Sequence, residues 1–133
     1  MTHHDFRRIV LALADAVEGS HMGHPDFRVQ NRIFATIHHD PRHGSLTLTP
    51  DQQQRFIRAD PQTYAPESGA WGRAGSTRVI FESADEETLG EALTLAWHNA
   101  VAKGPTKSKA RTSKASPRPT RTTRRTRQRV LLP

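Results

Sequence analysis

The chain has no cysteine. That excludes disulfides, thiol nucleophiles and cysteine-ligated metals, and it agrees with an expected cytoplasmic setting. No apolar run approaches the roughly 20 residues that span a bilayer, so no membrane association is expected. The opening Met1-Thr2-His3-His4-Asp5 lacks the basic region and apolar core of a signal peptide. Lysine is absent before Lys103, which removes a Schiff-base lysine and a phosphate-loop lysine from residues 1–102. No G-x-S-x-G, G-x-x-x-x-G-K or H-E-x-x-H motif occurs. A non-enzymatic protein without a cofactor is the expectation.

Asp and Glu are absent from residues 103–133, which carry eleven Lys and Arg. Residues 1–102 hold 9 Arg and all 13 carboxylates. The net charge of +7 is therefore the sum of an acidic body at −4 and a basic segment at +11. The expected organisation is one folded domain over 1–102 and an appended tail over 103–133. The tail is rich in Lys, Arg, Ser, Thr and Pro. Such a composition buries too little apolar surface to offset its ordering entropy, so a disordered tail is expected. Its cations, among them Lys107, Lys109, Arg111, Arg124 and Arg125, suit a polyanion. The alternative is a solvated extension with no partner.

Within the body, Phe6, Ile9, Val10, Leu13 and Val17 recur at helical spacing, predicting a helix that stops by about Asp15. Strands are predicted over Glu18–Met22, around Phe27 and Val29, over Ile33–Ile37 and around Leu46 and Leu48, with Gln30-Asn31 as a hairpin turn. Thr49-Pro50-Asp51-Gln52 reads as a capping box opening a short helix that ends before Pro61. Residues 62–69 read as an irregular connection. Gly69-Ala70-Trp71-Gly72-Arg73-Ala74-Gly75 reads as a tight loop delivering the chain into a strand at Thr77–Phe81. Ser83-Ala84-Asp85-Glu86 reads as a second capping box, before a helix striped by Leu89, Leu93, Ala96, Trp97 and Ala100. The fold class that follows is α+β, a two-layer arrangement with an antiparallel sheet and helices on one face.

Alternation places Phe27, Val29, Ile33, Ala35, Ile37, Leu46, Leu48, Val79 and Phe81 toward the helices, and Arg28, Phe34, Thr36, Thr47, Arg78 and Ile80 on the open face. Arginine beside exposed rings is compatible with nucleic acid. The same face, through Phe34 and Ile80, is compatible with self-pairing or protein interaction. Trp71 is expected to anchor the glycine loop from below, with stacking on a base or ligand as the alternative. A third, enzymatic reading places a small-ligand pocket beside Trp71. The eight histidines predict no metal site. His21 and His24 flank Gly23 and precede Pro25, which argues against a continuous helix, while His38 and His39 would point to opposite faces.

His24-Pro25-Asp26-Phe27-Arg28-Val29, Ile33-Phe34-Ala35-Thr36, Thr49-Pro50-Asp51-Gln52-Gln53, Trp71-Gly72-Arg73-Ala74-Gly75 and Ala96-Trp97 occur in the order in which the MmcQ/YjbR family carries similar stretches. The chain resembles that family from about Phe6 to Ala102. The resemblance implies a YjbR-type fold, similar to CyaY-like two-layer sheets, and a DNA-binding role through a double-wing likeness. The DNA contacts expected on the body are Arg28, Arg73 and Arg78, with Trp71, and secondarily Arg32 and Arg42 because they sit at turns.

Overall fold

Phe6 and Val10, four residues apart, form the fully buried stripe of the first helix, α1 (His3–Leu11). The structure, a computed structural model, describes residues 1–105. The helix stops before the predicted Asp15, which takes a positive φ of 60° in the following turn. Four strands follow: β1 (Val17–His21), β2 (His24–Val29), β3 (Arg32–Ile37) and β4 (His43–Thr47). The β1–β2 hairpin turns on Met22 and Gly23, and Pro25 lies inside β2 opposite Ser20. The β2–β3 hairpin turns on Gln30 and Asn31, both at positive φ, as the Asn predicted.

Helix α2 (Pro50–Ala59) starts where expected: the Thr49 hydroxyl accepts from the Gln52 amide at 3.2 Å, and Gln52 Oε1 accepts from the Thr49 amide at 2.9 Å. The connection over 62–69 is more regular than predicted, containing the short strand β5 (Tyr64–Pro66). The glycine stretch is not a loop but a helical turn, α3 (Gly69–Arg73), leading into β6 (Ser76–Ile80). A 3-10 turn over Phe81–Ser83 then precedes α4 (Glu86–Lys103). The cap of α4 is Asp85, whose carboxylate accepts from the Thr88 amide at 2.9 Å, and not Ser83. Gly104, at φ 76°, ends the helix.

The six strands form one antiparallel sheet in the order β1-β2-β3-β4-β6-β5. Helices α1, α2 and α4 close its apolar side over a core that includes Phe6, Phe27, Phe34, Phe81, Leu89 and Leu93. Phe6 stacks tilted on Phe81 at 4.8 Å and edge-on to Phe27 at 6.1 Å. Each such buried ring contributes about 1.5–3 kcal/mol relative to exposure.

One alternation differs from expectation. Phe34 is fully buried and Ile33 is 40% exposed, the reverse of the predicted assignment. Phe27 pairs with Ala35 and Arg28 with Ile33, so Phe34 is an extra residue in β3. Such a bulge shifts the inward–outward phase by one. The other eight residues predicted to face the helices are buried.

Candidate nucleic-acid interface

The open face of the sheet is ordered by strand register. Gly19, Asp26, Thr36, Ser45, Arg78 and Ala65 follow one another across β1, β2, β3, β4, β6 and β5. A neighbouring row holds Thr47 opposite Ser76, and on the other side His43 lies opposite Ile80. Arg28 and Arg78 thus lie on the predicted face, together with Thr36, Thr47 and Ile80. Phe34, one of the two residues expected to drive pairing with another chain, lies in the core instead.

The arginines do not gather into one patch. Arg28 grips Asp26 with both ends of its guanidinium, Nε to Oδ1 at 2.8 Å and an Nη2 to Oδ2 at 3.0 Å. Asp26 is wholly buried and also contacts His21 Nδ1 at 2.7 Å. The Arg28 hydrogen bond, working against burial and helped by His21, holds the Asp26 carboxyl below its usual range. Arg42 is occupied in the same way by Asp40, at 3.0 and 2.8 Å. Arg78 lies mid-sheet with its Nε buried and without a hydrogen-bond partner. Its charge falls on Glu67: burial would raise that carboxyl, but bonds from His38 and Ser45 and the Arg78 charge bring it below normal. Arg73, on α3, is exposed and makes no ion pair among the described residues.

Arg32 takes part in a feature that the sequence did not reveal. Together with Arg28, Asn31, Thr47, Asn99 and Lys103 it lines a cleft of about 310 Å³ between the β2–β3 hairpin and the end of α4. No carboxylate lines this cleft. Arg32 Nε donates to the Gly104 carbonyl at 2.6 Å, leaving its two terminal amino groups for other partners. The available signal was a basic residue at a hairpin turn and another in the last turn of a C-terminal helix.

Trp71 is not an anchor: it is 78% exposed, at the rim of a groove on the open face. The histidines line part of the same groove, His21 and His24 at 4.6 Å between ring centres and His24 and His39 at 4.8 Å. Burial, and then the charges of His21, His39 and His38, push the His24 imidazole below its ordinary value. Among the described residues, no group of three or more His, Asp or Glu is placed to hold a metal ion. No described helix is long and apolar enough to cross a membrane. Lys107, Lys109, Arg111, Arg124 and Arg125 lie outside the described residues, as does most of the expected disordered tail.

These features define a class: a two-layer α+β domain whose second sheet face is left open by α1, α2 and α4 and bordered only by the short α3. The YjbR family model matches residues 11–99, and the chain belongs to the YjbR family. Among solved structures it is similar to the crystal structure of Deinococcus radiodurans protein DR2400, which carries the family-model domain DUF419. The two share 26% identity and a TM-score of 0.67 over 81% of this chain and 84% of the other. No curated protein matches the chain.

Proposed function

We propose that this YjbR protein is a non-enzymatic, cytoplasmic DNA-binding protein whose phosphate affinity comes mainly from residues 103–133. The carrying observation is the placement of its charge. Eleven cations without a carboxylate follow from Lys103 onward, and Lys103 itself lines a cleft with Arg28 and Arg32 and no carboxylate. Arg28 is compensated by Asp26, so Arg32 and Lys103 are the body's phosphate contacts at this end. Arg42, tied to Asp40, is not used in this reading.

Counterion release makes the reading measurable. If 6–10 cations meet phosphates, affinity falls by about 10³–10⁵ between roughly 50 and 200 mM salt. The comparison is a salt titration by gel shift of the full chain against a chain ending at Pro105, which keeps the whole core. The shortened chain is expected to lose most of the affinity and most of the salt slope. Equal affinity and equal slope would overturn the assignment to the basic segment. No binding by the full chain at low salt would overturn DNA binding altogether.

A further inference from the structure

Of the two tryptophans, Trp97 is partly buried and donates its Nε1–H to the Ala14 carbonyl at 2.8 Å, whereas Trp71 stands out in solvent. Leaving an indole exposed forgoes a large apolar burial. The backbone that carries this ring is nevertheless fixed from behind. A Cβ on Gly72 would collide with the Glu67 carbonyl, and one on Gly75, at φ 117°, with the Leu48 carbonyl. The buried Gln53 amide donates to the Gly72 carbonyl at 3.0 Å and the Ser76 carbonyl at 2.9 Å. Trp71 is therefore an exposed ring on a fixed mount.

The groove it borders, about 500 Å³ in its larger lobe, has a floor of hydroxyls. Thr36, Ser45 and Ser76 lie on adjacent strands, with Ser45 and Ser76 Oγ 3.4 Å apart. The carboxylates around it are engaged: Asp26 by Arg28 and His21, Asp40 by Arg42, and Glu67 by His38 at 2.9 Å. Little uncompensated charge remains inside it. An aromatic plate beside hydroxyls suits an uncharged planar ring with a polar edge. A nucleobase, a flat ring with hydrogen-bonding edges, matches the plate and the hydroxyls together.

A duplex keeps its base faces stacked on one another, so only an unpaired base can lie on Trp71. We propose that Trp71 is a stacking platform for an unpaired base, and that the preferred ligand is single-stranded nucleic acid rather than duplex. This rests on the nucleic-acid reading above but is separable from it, because stacking is insensitive to salt and phosphate contact is not.

The test uses the full chain carrying Trp97→Phe, so that Trp71 is the sole tryptophan, titrated with an oligothymidine of roughly 12 nucleotides and with a duplex of the same length. The single strand is expected to quench Trp71 fluorescence and to bind more tightly than the duplex. In the otherwise wild-type chain, Trp71→Ala is expected to weaken single-strand binding about 5- to 150-fold with the salt slope unchanged, and Trp71→Phe to restore most of it. Equal binding of both ligands with no quenching and no effect of Trp71→Ala would overturn the platform and leave DNA binding standing. Quenching by a neutral oligosaccharide but not by the oligonucleotide would overturn it in favour of a sugar site. Failure of both nucleic acids to bind would remove this proposal and the function it rests on together.

Discussion

Asp26 is the residue whose environment has the most measurable consequences. A fully buried carboxylate needs partners, and it has Arg28 on one side and His21 on the other. Gly19, opposite in β1, leaves them room, since a Cβ there would sit 3.1 Å from Asp26 Oδ1. Replacing Asp26 by Asn keeps the shape and removes the charge, and is expected to cost roughly 1.5–3 kcal/mol in urea unfolding. Because the folded Asp26 carboxyl lies below its usual 3.8, its contribution is complete above that pH and is lost as pH falls through the folded value. The folded His24 imidazole lies below its usual 6.5. The unfolded chain therefore takes up its proton first, and the His24 contribution shrinks as pH drops from 6.5 downward. Both groups act in the same direction. Thermal melts from pH 7 to pH 5 are expected to show a falling Tm, and His24→Gln to flatten that fall. A Tm that rises over this range would contradict the assignment.

At the scale of elements, the short helix α3 is braced against α2 by a buried amide. Gln53, 4% exposed on α2, satisfies one carbonyl of α3 and one of β6. Gln53→Ala removes one of the two hydrogen bonds that each carbonyl accepts, the Gly72 oxygen keeping the Gly75 amide and the Ser76 oxygen the Glu67 amide, and it opens a void, for an expected loss of about 2–4 kcal/mol. Gln53→Glu, equal in size but ionised and unable to donate, is expected to be at least as damaging; a neutral effect of both in calorimetry would refute the role. Much of the architecture was legible in the sequence because it is local. Asn31 marks the hairpin turn by its tolerance of positive φ, Thr49 and Gln52 mark a helix start, and the α4 stripe follows from spacing. The failures are non-local. The bulge at Phe34 is set by how β3 pairs with β2, with no glycine to announce it. The glycines of α3 suggested a loop, but Gly72 is needed where the helical turn meets the Glu67 backbone. Trp71 was assigned to the interior on size alone, and its exposure follows from that mount. The Asp26–Arg28 pair is legible in the sequence, because residues two apart on one strand share a face.

For the whole molecule, the partition of charge predicts a separation of roles: residues 103–133 set the salt dependence, while the open face sets the preference for what is bound. Gly104 ends α4 beside Arg32, whose guanidinium holds the Gly104 carbonyl. The cationic segment is therefore tethered at the mouth of the cleft, and four residues of chain reach at most about 14 Å. Under the proposed function, a strand captured by Lys107 or Lys109 would bring its next phosphates to Arg32 and Lys103 at an effective concentration of order millimolar, far above that of free nucleic acid. Contacts too weak to register alone would thereby add to the grip. The intact chain is expected to bind a strand of roughly 20 nucleotides about 10- to 100-fold more tightly than a peptide of residues 106–133. Adding the separate domain to that peptide should restore none of the difference, because the covalent leash, rather than the inventory of charges, is what joins the two weak grips.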